Sequence, residues 1–336
     1  FLKFDQERIQ NSLKKLLDDN FDYDNLTYTY SEHHLYHAYT GFFNSPFAEA
    51  VCIILDGGGG EKVENNVRLL EVESIYAADR KSITEVSKKY HTVIYTKYCG
   101  CLYSPAGGPI AVGQKFGKLA ESLGWTHFDG GKVMGLAQYK GYESEVSEKW
   151  RPHIEECYNV QKETEDEVIE IIRKYSEDTG MNNIVLSGGY ALNCVANYKF
   201  KKLFPHLNFY IDPICADAGI SIGQSYYYYK ERYKRKIIPL KDSYIGTQSP
   251  LNLSTLISKK TSYGEIAQLL SEGNVIALFQ GKAEAGYRAL GNRSILMDPR
   301  LPDGRDRLNN IKGREDFRPF AGTVLQEYAS EWFDIE

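Results

Sequence analysis

Three segments of the chain share one local pattern, in which an apolar run ends at a polar residue and a glycine turn. They read AEAVCIILDGGGGE (residues 48–61), NNIVLSGGYALNCVAN (182–197) and FYIDPICADAGISIG (209–223). Short apolar runs that stop at glycine predict buried strands, and the second and third turns lead into helical sequence. Strands and helices that alternate in this way predict an α/β fold with turns at the strand ends.

The overall composition is that of an ordinary globular protein. Of 336 residues, 42% are hydrophobic and 25% are charged, which allows one large core or two domains. The net charge of −5 argues neither for nor against an anionic partner. No apolar run approaches the roughly 18 residues of a membrane span, and we find no signal peptide. Because no initiator Met is present, we expect that residue 1 is not the native start.

The cysteines give no sign of a metal site or a disulfide framework. They are Cys52, Cys99, Cys101, Cys157, Cys194 and Cys215. Their spacings match no common zinc-binding pattern. We expect reduced cysteines that serve as small core residues, and hence a cytoplasmic protein.

The glycine turns have two interpretations. Glycine lets backbone N–H groups converge on a phosphate, and the N-terminus of a following helix adds a favourable dipole. A tight turn without any ligand is the alternative for either turn alone. Taken together, the turns resemble the strand and loop layout of the actin, sugar-kinase and Hsp70 ATPase fold, which implies a nucleotide site.

The segment SEHHLYHAYTGFF (31–43) places three histidines within five positions. His33 and His37 are four residues apart, so on a helix they share one face, while His34 points elsewhere. This spacing alone favours exposed or core histidines over metal ligands. Asp56 and Asp217 each lie at a glycine turn, where carboxylates commonly bind metal or phosphate. With the two histidines they would complete a mixed nitrogen and oxygen site for iron, zinc or manganese.

The chain changes character after about residue 258, where basic residues alternate with apolar ones. The basic side chains that we single out are Arg288, Arg293, Lys312, Arg314 and Arg318. They have the chemistry to bind phosphate or carbamate oxygens, whereas a solvated surface is the alternative. The interleaved apolar residues favour a packed segment, in which arginines need partners.

At the other end of the chain, residues 5–19 predict an amphipathic helix.

Several stretches together resemble the O-carbamoyltransferase family of nodulation and antibiotic-tailoring enzymes. They are HHLYHAYTGFFNSPF, ILDGGGGE, GKVMGLAQY, LSGGYALNCVAN, DAGISIG, RALGNRSILMDPR and NNIKGREDFRPFAG, spread over residues 31–322. The resemblance implies an actin-like module over residues 1–245, expected to lack its first strands. It also implies a threonylcarbamoyl-AMP-synthase-like α/β module over residues 258–336, expected to be incomplete at its C-terminus.

The same resemblance implies roles for individual residues. The metal ligands would be His33, His37, Asp56 and Asp217, with Fe²⁺ favoured and Zn²⁺ or Mn²⁺ as alternatives. The nucleotide site of the first module would be lined by Lys132, Gly188, Gly189 and Asn193. Carbamoyl phosphate and ATP, with Mg²⁺, would be held by Arg293, Lys312 and Arg314, and by Arg288 and Arg318 as catalytic residues. His34 is a candidate general base, since the family's proposed catalytic histidine has no counterpart here.

The implied reaction is ATP-dependent transfer of a carbamoyl group from carbamoyl phosphate, through carbamoyladenylate, to a hydroxyl of a small acceptor. Two alternatives stay open: carbamoylation of a nucleic-acid base, a nucleotide or a hydrogenase-maturation substrate, and a non-catalytic nucleotide-binding module. The absence of a basic stripe speaks weakly against a nucleic-acid acceptor. The chain departs from the family at Ala285, Tyr287 and Gly322, which would reshape the second pocket. Neither the acceptor nor the oligomeric state follows from the sequence.

Overall fold

Strand β1 (Glu49–Leu55) lies at the centre of the fold in the computed structural model, which describes residues 32–92, 110–246 and 260–334. All of its residues after Glu49 are buried. Val51, Ile53 and Leu55 belong to one core cluster, and Ala50, Cys52 and Ile54 belong to the other. An apolar run without polar alternation is what a strand covered on both faces requires.

The sheet around β1 is mixed. On one side β1 pairs antiparallel with β3 (Val67–Asp79), which also pairs with β2 (Glu61–Glu64) and β4 (Ile83–Thr92). On the other side β1 is parallel to β5 (Asn183–Ser187), and β5 is parallel to β6 (Asn208–Ile211). The parallel strands place the segments that follow β1 and β5 at the same edge of the sheet.

Helices cover both faces of this sheet. On one face lie α1 (His33–Asn44) and, later in the chain, α6 (Ile220–Glu231), which pack against each other. The other face is covered by α2 (Val112–Ser122), α3 (Gly130–Ala137) and α4 (Ile154–Thr179). Helix α5 (Cys194–Leu203) connects β5 to β6. The α/β class predicted from the sequence is confirmed, whereas its actin-like identity stays a prediction.

The C-terminal segment is smaller. It contains α7 (Tyr263–Ser271), an antiparallel pair of β7 (Ile276–Phe279) and β8 (Arg293–Leu296), α8 (Gly304–Lys312) and the short α9 (Ala329–Trp332). Among its described residues the buried apolar side chains are Ile266, Leu308 and Phe317. Phe317 is fully buried in the core of the preceding region, so the segment is anchored to that core.

Some predictions fall outside these ranges or need correction. Those that lie outside the described residues are the helix over residues 5–19, the cysteines Cys99 and Cys101, and most of the predicted domain boundary. Cys194 was expected in the core and is exposed, because it begins α5 on the solvent side. In the described ranges, no helix has both the length and the apolar character needed to cross a membrane.

Candidate metal centre

Four potential metal ligands converge where α1 and the sheet edge meet. His33 and His37 lie one turn apart on α1, and Asp56 is the first residue after β1. Asp217 begins a short 3₁₀ turn between β6 and α6. Their ligand atoms all lie within 4.8 Å of one another. The structure thus brings together the four residues that the sequence predicted as metal ligands.

The two carboxylates face both imidazoles. The Nε2 atom of His33 lies 3.1 Å from Asp56 Oδ2 and 3.5 Å from Asp217 Oδ1. The Nε2 atom of His37 lies 3.4 Å from Asp56 Oδ2 and 3.5 Å from Asp217 Oδ1. One oxygen of each carboxylate and one nitrogen of each ring therefore point to a shared centre.

Electrostatics at this centre couple the four groups. Burial alone would lower the pKa of His33, but hydrogen bonds to Asp217 and Asp56 raise it to about 9. Burial also opposes the charge on His37, and the same two carboxylates raise its pKa above the usual value. Burial would raise the pKa of Asp56, whereas hydrogen bonds from His33 and His37 hold it well below its ordinary range. The hydrogen bonds from the same histidines lower the pKa of Asp217 to about 2.

These residues fit a divalent cation. The buried Nδ1 atom of His37 has no hydrogen-bond partner among the described residues, and its buried Nε2 atom has only the long contacts of 3.4 and 3.5 Å with the two carboxylates. A buried polar atom left unpaired is unfavourable, and an ion at the shared centre would satisfy Nε2. Two imidazoles and two carboxylates form a donor set that iron, zinc and manganese accept. Because an imidazole must be neutral to bind a metal, an ion at this centre would displace protons from the histidines.

The glycine turns are built around Asp56. Its Oδ1 atom accepts hydrogen bonds from the backbone N–H of Gly57 at 2.8 Å and of Gly189 at 3.3 Å, which leaves Oδ2 to the histidines. Gly188 has a φ of +89°, and a Cβ there would lie 2.3 Å from the carbonyl oxygen of Leu55. The second glycine turn therefore packs directly on the residues that present Asp56. Contact of this turn with nucleotide phosphate stays a prediction.

Two predicted site residues are engaged in structural contacts. His34 is fully buried, its Nδ1 atom lies 2.7 Å from Ser74 Oγ, and its ring packs against Gly59. Burial lowers the pKa of His34 to about 3. Asn193 caps α5 through Oδ1, which accepts from the N–H of Ala196, and its amide donates to Gln161 at 2.9 Å.

Two of the predicted anion-binding arginines lie near the middle of the C-terminal segment. The Arg288 guanidinium donates to the carbonyl oxygen of Leu192 at 3.2 Å, close to the second glycine turn. Arg293 lies on β8, where its guanidinium donates to the carbonyl oxygen of Gln280 at 2.6 Å and stacks 3.5 Å from the Phe279 ring centroid. Arg288 is therefore the member of this pair that lies beside the second glycine turn.

The other basic residues lie around Glu315. Lys132 forms an ion pair with Glu315 at 2.8 Å, and an Arg318 nitrogen lies 3.5 Å from the same carboxylate. Arg314 donates to Asn309 at 2.7 Å and lines a cleft of about 520 Å³ with Glu315. The exposed Lys312 ends α8. Arg288, Arg293 and Arg314 donate to carbonyl or amide oxygens of the chain, and Arg318 lies beside Glu315, so a single anion pocket stays a prediction.

An ion pair beside the candidate metal centre was not predicted from the sequence. Glu71 on β3 and Lys88 on β4 are both largely buried, and their charged atoms lie 2.8 Å apart. The local signal was a carboxylate within a strand whose neighbours are apolar. Its partner on the adjacent strand becomes evident only when the pairing of β3 with β4 is known.

Two regions of the chain match family models of carbamoyltransferases. The family model described as the carbamoyltransferase N-terminus matches residues 145–226, and that of the carbamoyltransferase C-terminus matches residues 267–336. The chain is therefore similar to carbamoyltransferases over both of these regions. The family resemblance predicted from the sequence is therefore confirmed.

Individual relatives agree with this similarity. The nodulation protein NolNO of Sinorhizobium fredii is 30% identical, over 91% of this chain and 49% of its own length. An uncharacterised protein of Synechocystis is 29% identical, over 91% of this chain and 57% of its own length. The 3′-hydroxymethylcephem-O-carbamoyltransferase of Amycolatopsis lactamdurans is 31% identical, over 41% of this chain and 27% of its own length. The chain thus spans about half the length of the curated relatives that it matches along most of its own length.

Among solved structures, full-length HypF in its phosphate- and nucleotide-bound form is similar over 58% of this chain and 35% of HypF. The sequence identity is 16% and the TM-score is 0.31. A TM-score this low does not establish a shared fold.

Proposed function

We propose that the chain carries the metal-dependent site of an ATP-dependent O-carbamoyltransferase. The group transferred would come from carbamoyl phosphate, through carbamoyladenylate, and the acceptor would be a hydroxyl of a small molecule. The observation that carries the proposal is the convergence of His33, His37, Asp56 and Asp217 in a chain that is similar to carbamoyltransferases. The name of the cephem O-carbamoyltransferase supports a hydroxyl acceptor.

The four side chains would hold a divalent ion, with Fe²⁺ favoured over Zn²⁺ or Mn²⁺. When bound, the ion would act as a Lewis acid toward a carbonyl or phosphoryl oxygen. The chain orients this donor set before any ligand arrives, because Asp56 is fixed by Gly57 and Gly189 and the histidines are fixed on α1. A donor set that is held in place needs little rearrangement when substrate binds.

Negative charge on carbamoyl phosphate and ATP requires cations at the same site. Arg288 is exposed, and its guanidinium donates to the carbonyl oxygen of Leu192. Leu192 is the last residue of the short 3₁₀ turn that begins at Gly189, directly after Gly188. A phosphate at that turn would therefore meet the Arg288 guanidinium. Arg318 and Lys132, which meet at Glu315, are further candidates for the anionic substrate.

Removal of a proton from the acceptor hydroxyl also needs a base. His34 was the candidate from the sequence, but its ring is fully buried between Ser74 and Gly59. An acceptor cannot reach its free Nε2 atom unless the glycine turn moves. We therefore assign His34 a role in holding α1 against β3.

The test is the metal content of the His33→Ala/His37→Ala double variant. The parent protein, loaded in turn with Fe²⁺, Zn²⁺ and Mn²⁺ and then desalted, should retain one ion per chain with one of the three. The double variant should retain none, whereas the control His206→Ala, which replaces an exposed histidine elsewhere, should match the parent. Equal metal content in a folded double variant would overturn the assignment.

The transfer reaction is tested with the same proteins. Each is incubated with carbamoyl phosphate, ATP and a panel of hydroxyl-bearing compounds, and products are examined by mass spectrometry for one added carbamoyl group. We expect the addition with the parent and the control, and its loss in the double variant. Carbamoylation that survives in a metal-free double variant would contradict a role for this site in transfer.

A further inference from the structure

Glu71 is a buried carboxylate next to the metal centre, and it has no role in the carbamoyl transfer proposed for the chain. Its residue is 1% exposed, and Oε1 lies 2.8 Å from Nζ of Lys88, whose side chain is 8% exposed. Removing two charges from water costs several kcal/mol per ion, so a buried pair needs further partners that stabilise it. The second oxygen of Glu71 provides them.

The Oε2 atom of Glu71 accepts two backbone hydrogen bonds from different segments. One comes from the N–H of His34 at 3.3 Å, and the other comes from the N–H of Gly60 at 3.1 Å. Backbone bonds reinforce this arrangement, because the N–H of Gly59 donates to the Glu71 carbonyl oxygen at 2.7 Å. The carboxylate therefore joins the start of α1 to the end of the glycine turn that follows Asp56.

Helix α1 needs such a partner because its own sequence supplies none. Its N-cap residue, Glu32, makes no side-chain capping hydrogen bond, and its first turn has no acidic residue. The first N–H groups of a helix have no partner within the helix, and a negative charge there is favourable. Glu71 supplies both the acceptor and the charge from a neighbouring strand.

The segments that Glu71 joins are the ones that carry metal ligands. His33 and His37 flank His34 on α1, and Asp56 precedes the turn that Gly60 ends. The hydrogen bond between His34 Nδ1 and Ser74 Oγ, on the same strand as Glu71, fixes the helix at a second point. Strand β3 therefore sets the separation between the histidine pair and Asp56.

We propose that Glu71, held by Lys88, is a positioning residue that sets the geometry of the metal centre. The inference rests on the proposed metal site. Substitution of a residue that orients metal ligands without touching the ion typically lowers metal affinity about ten- to a hundredfold. Loss of the Glu71 carboxylate should therefore weaken metal binding although no ligand is altered.

The experiment compares Glu71→Gln with Glu73→Gln. Glu73 lies two residues further along β3, is also buried, and pairs with Lys89 at 2.7 Å, away from α1 and the glycine turn. Co²⁺ is titrated into metal-free protein, and the visible absorption gives both affinity and coordination geometry. Amide hydrogen exchange in metal-free protein is measured for peptides that cover residues 32–40 and 57–64.

We expect Glu71→Gln to lower Co²⁺ affinity about ten- to a hundredfold, to alter the absorption band and to speed exchange in both peptides. Glu73→Gln should match the parent in all three. If Glu71→Gln and Glu73→Gln behave alike, the positioning role is wrong. If the parent binds no stoichiometric Co²⁺, the metal site itself is wrong, and the exchange data still test the link between α1 and the turn. Should Glu71→Gln not fold, Lys88→Gln removes the cation that orients the carboxylate, and parent-like affinity and exchange would overturn the proposal.

Discussion

The burial of Phe317 predicts that the C-terminal segment and the preceding region unfold together. Its side chain is fully buried. The centroid of its ring lies 5.5 Å from the ring centroid of Trp150 and 6.0 Å from that of Trp125. Tyr139 donates a hydrogen bond to the Phe317 carbonyl oxygen at 2.9 Å. Phe317→Ala would therefore leave a cavity in the core of the preceding region.

The expected loss follows from cavity formation. Replacing a buried Phe by Ala lowers the free energy of unfolding by about 3–5 kcal/mol. In a domain of about 150–250 residues, 1 kcal/mol shifts the melting temperature by about 2–4 °C, so a drop of roughly 6–20 °C is expected. Phe320→Ala is the matched control, because Phe320 is 39% exposed and stacks on Arg314. Its loss should stay below about 1 kcal/mol.

Urea unfolding monitored by tryptophan fluorescence and by circular dichroism measures both changes. Trp125 and Trp150 report the surroundings of Phe317 directly, whereas circular dichroism reports the whole chain. Both probes should show the same shift in Phe317→Ala. Equal stabilities of Phe317→Ala and Phe320→Ala would refute the reasoning. So would a transition in which the C-terminal segment alone unfolds early.

Two further substitutions test how the chain positions its glycine turn and the helix that follows it. Asn193→Ala removes the cap of α5 and the donor that Asn193 provides to the Oε1 atom of Gln161, so urea unfolding should show a loss of about 1–3 kcal/mol. Stability within 0.5 kcal/mol of the parent would contradict this. Gly188→Ala should lower both stability and metal affinity, whereas Gly141→Ala should lower stability alone; titration calorimetry and urea unfolding separate the two effects.

The convergence of the four candidate metal ligands could be predicted from the sequence because its signals are local. The spacing of His33 and His37 reports a shared helix face, Asp56 follows β1 directly, and Asp217 lies in the glycine-containing loop after β6. Parallel pairing of β1 with β5 and of β5 with β6 then brings the segments after β1 and β6 to one edge. The α/β class follows from the same apolar runs.

The remaining features depend on contacts between distant segments. Glu71 meets Lys88 only through the pairing of β3 with β4, and nothing near it in the sequence indicates a role at the start of α1. The burial of Phe317 likewise depends on where the C-terminal segment packs. At Arg293 the sequence did indicate that a basic residue in a packed segment needs partners. Its guanidinium donates to nearby carbonyl oxygens and stacks on an aromatic ring.

Gly188 and Gly141 separate two reasons why a position can require glycine, which are a positive φ angle and a lack of room for a Cβ atom. Their φ angles are +89° and +91°, so alanine at either position costs roughly 1–2 kcal/mol in backbone conformation. A Cβ at Gly141 meets nothing within 4 Å, whereas one at Gly188 would lie 2.3 Å from the Leu55 carbonyl oxygen. Gly188→Ala must therefore displace the end of β1, which presents Asp56 to the histidines. The difference in stability between the two variants measures this displacement, and the difference in metal affinity measures its effect on the site. If both variants bind metal as the parent does, the position of Asp56 does not depend on the second glycine turn.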